Sequence, residues 1–118
     1  MLLKVLRAKI HRATVTAAEV DYVGSITIDP LLTEACGMVH GECVLVADLT
    51  DGARFETYVM MGQRGSGTIC VNGAAAKLVS VGDKVIIMAF AYVSGQEAEA
   101  MKPGIVLVDE KNRIVQKT

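Results

Sequence analysis

Aliphatic and β-branched residues recur along this chain in short runs separated by turn signals, and no long stretch keeps the spacing of an amphipathic helix. The pattern therefore reads as mostly strand, with segments at roughly 2–10, 12–16, 24–28, 42–48, 53–61, 68–72, 84–92, 105–109 and 113–116. The clearest helix is the run from Pro30 to Cys36. Asp29 is placed to cap its free N–H groups, Pro30 suits its first position, and Gly37 can end it in a left-handed conformation. Short helical turns are expected at Ala74–Lys77 and Gln96–Met101. The run Gly62-Gln63-Arg64-Gly65-Ser66-Gly67 has neither phosphate-loop spacing and reads as a hairpin turn before the strand that starts at Thr68. Gly41-Glu42-Cys43-Val44-Leu45-Val46 aligns with Gly82-Asp83-Lys84-Val85-Ile86-Ile87, a turn glycine and an acid followed by a buried strand. Two similar half-barrels produce such an echo, and so does chance.

Composition narrows the architecture. At 118 residues the chain fits one domain, 1–118, and with 52% hydrophobic residues and 2 prolines it is not a disordered chain. It has no Trp, 2 Phe and 3 Tyr, so small aliphatic side chains must fill the interior, which suits a narrow barrel or thin sandwich. Twelve basic against thirteen acidic side chains, without a run of either sign, argue against nucleic acid as a partner. The longest apolar stretch, Val85 to Val93, is far short of the roughly 20 residues of a membrane helix. The N-terminal run lacks the features of a signal peptide, and 3 cysteines without paired spacing fit a reduced cytoplasm. His11 and His40 have no carboxylate or cysteine at ligand spacing, so no metal is expected.

Gly24-Ser25 is one of two Gly-Ser pairs, the other being Gly65-Ser66, and by itself such a pair reads as a turn or bulge. Its surroundings separate the two. Ala8-Lys9-Ile10-His11-Arg12-Ala13-Thr14-Val15-Thr16, Tyr22-Val23-Gly24-Ser25-Ile26-Thr27-Ile28-Asp29, Gly52-Ala53-Arg54-Phe55-Glu56-Thr57-Tyr58, Val71-Asn72-Gly73-Ala74-Ala75-Ala76 and Ser80-Val81-Gly82-Asp83-Lys84-Val85-Ile86-Ile87 follow in this order. Together they closely resemble the pyruvoyl-dependent aspartate decarboxylase family, from about Leu2 to Val108.

That resemblance implies a mainly β fold, a small double-psi β-barrel with short helical turns, assembled as a homotetramer with active sites between subunits. It implies a carboxy-lyase that converts L-aspartate to β-alanine and carbon dioxide for pantothenate biosynthesis. It also implies self-cleavage between Gly24 and Ser25 into a β chain, 1–24, and an α chain, 25–118. Ser25 then becomes a covalently bound pyruvoyl cofactor, a ketone that forms a Schiff base with the substrate amine and draws in electrons as carbon dioxide leaves. Neither a metal nor pyridoxal phosphate is needed. Thr57 matches a residue of processing and substrate contact. Asn72 is placed to act as an oxyanion donor during processing, although an Asn-Gly pair also makes a turn. Tyr58 matches the proton donor, and a phenol carries its proton at neutral pH. Lys9 and Arg54 match substrate-binding cations. Gly73, Ala74 and Ala75 match the substrate-binding backbone, and His11 and Tyr22 match pocket-lining positions. A cation on the departing carboxylate stabilises the ground state, so Arg54 is expected on the retained one. Ala47 departs from relatives with a bulky aromatic there, which alters the expected pocket.

Two other readings stay open at this level. A small barrel of this kind also serves as a non-catalytic binding or regulatory module, and a pyruvoyl enzyme can act on another amino acid, such as glutamate. A maturation protein that assists cleavage is a further expected partner.

Overall fold

The structure, a computed structural model, describes residues 1–118. Its elements are β1 (Leu2–Thr14), β2 (Ala17–Glu19), β3 (Ser25–Ile28), α1 (Pro30–Cys36), β4 (Cys43–Asp48), β5 (Arg54–Met61), β6 (Ile69–Asn72), a 3-10 turn (Gly73–Leu78), β7 (Lys84–Ser94), α2 (Gly95–Ala100), β8 (Gly104–Val108) and β9 (Ile114–Lys117).

Six strand positions close into a ring. β1 pairs antiparallel with β7, β7 with β4, and β4 with β5. β5 runs parallel to β3, β3 antiparallel to β6, and β6 parallel to β2. β2 continues the path of β1, and Thr16 N–H between them donates to Ile69 O at 2.8 Å, which seals the circuit. Strands drawn from residues 1–48 alternate around this ring with strands drawn from residues 54–94, so no ring strand pairs with one of its own half.

The halves match in detail. Gly41 and Gly82 both have left-handed backbones, φ 84° and 97°. Gly41 N–H donates to Val59 O at 2.7 Å and Gly82 N–H to Val15 O at 2.8 Å. Val59 N–H returns to Glu42 O at 3.0 Å, and Val15 N–H to Asp83 O at 2.9 Å. The Gly-acid echo in the sequence is thus a structural repeat, and the fold is the expected mainly β, small double-psi barrel.

Ile10, Val15, Ile26, Ile28, Val44, Val46, Val59, Ile69, Val71, Val85 and Ile87 fill the ring and are fully or almost fully buried. Branched aliphatics pack such a narrow interior at crystal-like density without needing aromatic rings. Phe55 packs against the core from a half-buried position.

Local chemistry sets the connections. α1 begins where expected, with Asp29 accepting from Leu31 N–H at 3.0 Å, and ends at Gly37 with φ 91°. The Asp29 carboxylate also accepts from Gly65 and Gly67 N–H, each at 2.9 Å, and so ties the 62–67 loop to the helix. Burial pushes this carboxyl up, but the three backbone donors and nearby Arg64 outweigh it and hold it below the usual carboxylate range.

Three expectations need correction. The segments expected at 2–10 and 12–16 are one strand to Thr14, carried past Arg12 by a left-handed residue, φ 65°, and a register shift between Ile10 and Ala13. The short β2 was not anticipated. The 62–67 loop is not a hairpin turn, because β3 lies between β5 and β6 and separates the strands it joins.

β8 and β9 lie outside the ring. β8 runs parallel to β1 along Ala8–His11, and β9 pairs back on β8. Asn112, at φ 60°, fastens this pair: its Oδ1 accepts from Thr14 N–H at 2.7 Å, and its Nδ2 donates to Thr14 O at 2.9 Å and Gly67 O at 2.8 Å.

Candidate active site

β3 begins at Ser25, flanked by β5 and β6. Ser25 pairs with Asn72 on β6, while Ile26 pairs with Val59 on β5. Counting back along these registers brings the Gly24–Ser25 peptide level with Thr57 and Tyr58 on one side and with Gly73 and Asn72 on the other. Side chains alternate across each strand. Ile26, Ile28, Val59, Ile69 and Val71 point into the core. Ser25, Thr27, Tyr58, Cys70 and Asn72 therefore share the outer face, and Arg54 shares that face of β5 with Tyr58. Thr57 points the other way, toward the inner side with Phe55 and Val59.

Ser25 is buried, at 5% exposure. Its hydroxyl donates to Val23 O at 3.4 Å and accepts from Asn72 Nδ2 at 2.9 Å. Asn72 Nδ2 also donates to Thr27 Oγ1 at 3.1 Å, and Cys70 Sγ donates to Asn72 Oδ1 at 3.2 Å. All of the Asn72 amide's contacts thus lie within this cluster, and the thiol contact turns the NH2 toward Ser25. Burial, with Glu19 nearby, pushes the Cys70 thiol up, so it sits there as a neutral donor. Thr27 and Cys70 were not singled out in the sequence. Their signal is the β3–β6 register, which places both beside Asn72 and which no local pattern contains.

The crowded glycine here is not Gly24. Gly24 is outside the left-handed region, and a methyl built on it meets nothing within 4 Å. Gly73 has φ 77°, and a Cβ there lies 2.6 Å from Gly24 Cα, 2.9 Å from Gly24 N and 3.3 Å from Tyr22 O. The tight approach is therefore at its neighbour across the ladder, whose missing side chain lets the 22–24 segment lie against the end of β6. Gly73 opens the 3-10 turn, with Ala74 exposed and Ala75 half-buried beside it. Tyr22 stands exposed on the segment leading to Gly24.

Lys9 and His11 are elsewhere. Both project outward from β1, where they line a cavity of about 230 Å3 with Ile105, Leu107, Gln116 and Thr118. Lys9 precedes Glu19, the β2 partner of Asn72, by ten residues, about 30 Å of extended strand. Within one copy, then, Ser25, Tyr58, Asn72 and Gly73 converge, Arg54 lies farther back along β5, and Lys9 and His11 stand on another wall. Burial lowers the His11 imidazole's proton affinity, helped by the charges of Lys9 and Arg12, and its buried Nδ1 has no hydrogen-bond partner.

No group of three or more His, Cys, Asp and Glu side chains is arranged to hold a metal ion. No helix is long and apolar enough to cross a membrane.

A family model described as Aspartate decarboxylase matches residues 1–115. The chain is 59% identical over 115 residues to the aspartate 1-decarboxylase of Caldicellulosiruptor saccharolyticus, covering 98% of this chain and 90% of that one. It is 56% identical over 117 residues to the aspartate 1-decarboxylase of Lactiplantibacillus plantarum, covering 99% and 90%. For the aspartate 1-decarboxylase of Corynebacterium efficiens the identity is 57% over 115 residues, covering 98% and 85%. Among solved structures, the rationally designed mkDPBB_sym_86 protein is similar with a TM-score of 0.47 and 19% identity, covering 71% of this chain and 95% of that one.

Proposed function

This chain belongs to the aspartate decarboxylase family, and from that premise we propose that it is a carboxy-lyase releasing the α-carboxylate of L-aspartate as carbon dioxide to give β-alanine, a pantothenate precursor. The observation that carries the reading to particular residues is the Ser25 environment: a buried hydroxyl held by the Asn72 amide, with Gly73 against the backbone of Gly24.

Maturation is the first step. The Ser25 hydroxyl attacks the Gly24 carbonyl, the acyl group passes from nitrogen to oxygen, and elimination frees Gly24 as the carboxyl end of a β chain, 1–24. Uptake of one water and loss of one ammonia leave a pyruvoyl group as residue 25 of the α chain. Asn72 Nδ2 is the donor nearest the reacting oxygen, and Thr57 lies level with Gly24 on β5 with its side chain on the inner face.

The surroundings of residue 25 fit such a group: an amide donor at 2.9 Å and, against the adjoining Gly24 backbone, a glycine in place of any larger side chain. When bound, the group supplies an electron-withdrawing carbonyl for the amine-bearing substrate. The chain's own residues do the rest. Tyr58, on the Ser25 side of β5, holds a phenolic proton for delivery to carbon after carbon dioxide departs. Arg54 on the same face grips the retained carboxylate, and the Gly73–Ala75 backbone lets the substrate lie close. Lys9 and His11 stand on another wall, so in this reading a second copy brings them to the site, as in the homotetramer that the family resemblance implies, with sites between subunits and a reactive centre shielded from water. A maturation protein that acts on the 20–24 segment is a further candidate partner.

Intact-mass measurement together with carbon dioxide release tests this reading. The expected result is two chains cut after Gly24, an α chain without a free amino terminus, and release from aspartate well above release from glutamate. A fully active chain with an ordinary serine at position 25 overturns the mechanism.

A further inference from the structure

The Lys9–His11 cavity has a wall that the proposed reaction leaves without a role. The six-strand ring is complete without β8 and β9, yet this pair is held firmly by Asn112 and carries two polar side chains beside a substrate cation. The registers define the cavity in two rows. Lys9 lies opposite Ile105, and Ile105 exchanges backbone hydrogen bonds with Thr118, at 2.9 and 3.3 Å. His11 lies opposite Leu107, and Leu107 opposite Gln116. Val106 and Val108 point into the core, so Ile105 and Leu107 form an apolar floor between Lys9 and His11 on one side and Gln116 and Thr118 on the other.

The cavity contains one ammonium and no carboxylate side chain; the carboxyl oxygen of Thr118 there accepts from Ile105 N–H at 3.3 Å, Lys9 makes no ion pair with it, and an imidazole nitrogen lacks a partner. Lys9 forms no salt bridge in the chain, unlike Arg7, Arg64 and Lys84. An unpaired cation over an apolar floor, faced by an amide, is arranged for a small carboxylate. A carboxylate has more lone pairs than one ammonium fills, and a primary amide across the floor supplies a second donor without adding charge.

We propose that Gln116 on β9 is a substrate-positioning residue, which donates from its side-chain amide to the retained carboxylate of the substrate, shared with Lys9. This deepens the decarboxylase reading and rests on it for the identity of the substrate. A contact made equally in the ground state and the transition state raises KM when removed and leaves kcat unchanged. β9 then acts as a specificity wall by fixing where that carboxylate lies.

Two measurements test the proposal. In steady-state kinetics, Gln116→Leu is expected to raise KM for aspartate about five- to twentyfold, with kcat and the extent of self-cleavage within about twofold of the parent and partial recovery in Gln116→Asn. Independently of catalysis, succinate, a dicarboxylate without the amine, is titrated into 15N-histidine-labelled processed protein. The chain has 2 histidines, so His40 is an internal control. Succinate is expected to shift the His11 ring resonances and leave those of His40 in place, with an apparent affinity at least about fivefold weaker in Gln116→Leu. Unchanged KM and unchanged succinate affinity in a folded, processed Gln116→Leu protein overturn the proposal, as does a His11 signal indifferent to succinate. If the parent releases no carbon dioxide from aspartate, it is the decarboxylase reading that fails, while the succinate titration still decides whether Gln116 and Lys9 form a carboxylate site.

Discussion

At the scale of single residues, the Gly24–Ser25 peptide owes its position to what is missing from Gly73. A methyl at Gly73 must displace the Gly24 backbone, and its φ of 77° is strained for any L side chain. Gly73→Ala is therefore expected to slow self-cleavage at least about tenfold, the effect of a sub-ångström misplacement of reacting groups, and intact mass against time after purification reads it directly. Gly24→Ala has open space around it and should fold with a melting temperature within about 3 °C of the parent, so that any loss of cleavage there is a loss of chemistry rather than of fold. Cleavage of Gly73→Ala at the parental rate removes the steric account. Arg54 makes a separate prediction. A charge-assisted hydrogen bond contributes about 1.5–3 kcal/mol, so Arg54→Ala should lower kcat/KM for aspartate about tenfold or more, and a loss below roughly threefold means the guanidinium does not hold the substrate.

At the scale of elements, Asp29 joins three pieces of the barrel with one carboxylate: the end of β3, the first turn of α1 and the 62–67 loop. Its carboxyl is held below the ordinary range in the fold, so the stability it contributes is fully present above the unfolded value near pH 4 and disappears as pH falls through the lower folded value. Asp29→Asn replaces one acceptor by a donor facing a backbone N–H. It should cost about 2–3 kcal/mol at pH 7 and flatten the fall in melting temperature between pH 5 and 2, as read by thermal circular dichroism. How much of this level was legible in the sequence depends on which interactions are local. The Asp29 cap, Pro30 and Gly37 act within one helix, and all of α1 could be read from them. The Gly41 and Gly82 turns were legible for the same reason, each being a glycine, an acid and a strand in sequence. The long β1 was not, because the left-handed Arg12 imitates a strand break. The 62–67 loop imitates a hairpin because the insertion of β3 between β5 and β6 is a fact about distant segments. The candidate site divides likewise: Gly24, Ser25, Asn72 and Tyr58 are named by the family resemblance, while Cys70 and Thr27 become visible only once β3 and β6 are paired.

At the scale of the whole molecule, alternation of the two halves around the ring means that neither half can satisfy its own backbone hydrogen bonds. Fragments divided at the exposed turn between β4 and β5 are expected to be unfolded separately and to regain strand signal on mixing. The same interlocking bears on the proposed self-cleavage, because it decides whether two chains so formed would stay together. The 1–24 piece contains all of β1 and β2. β1 is paired with β7 from Leu2 to Thr14 and with β8 from Ala8 to His11, and β2 is paired with β6. Ala8, Ile10, Ala13 and Val15 are buried in the common core. Burial of the Ile10 and Val15 side chains alone stabilises the association by about 3–6 kcal/mol, before any ladder hydrogen bond is considered. The cut piece should therefore remain in place without a covalent link. Because apolar burial and backbone pairing hold it, salt should not release it, as it would an association held by surface ion pairs. Cleaved protein is expected to elute as one species in gel filtration at low salt and at about 1 M salt, and to separate into two chains only in denaturant. Loss of the 1–24 chain from the native peak at either salt concentration would show that the ring does not depend on β1 for closure.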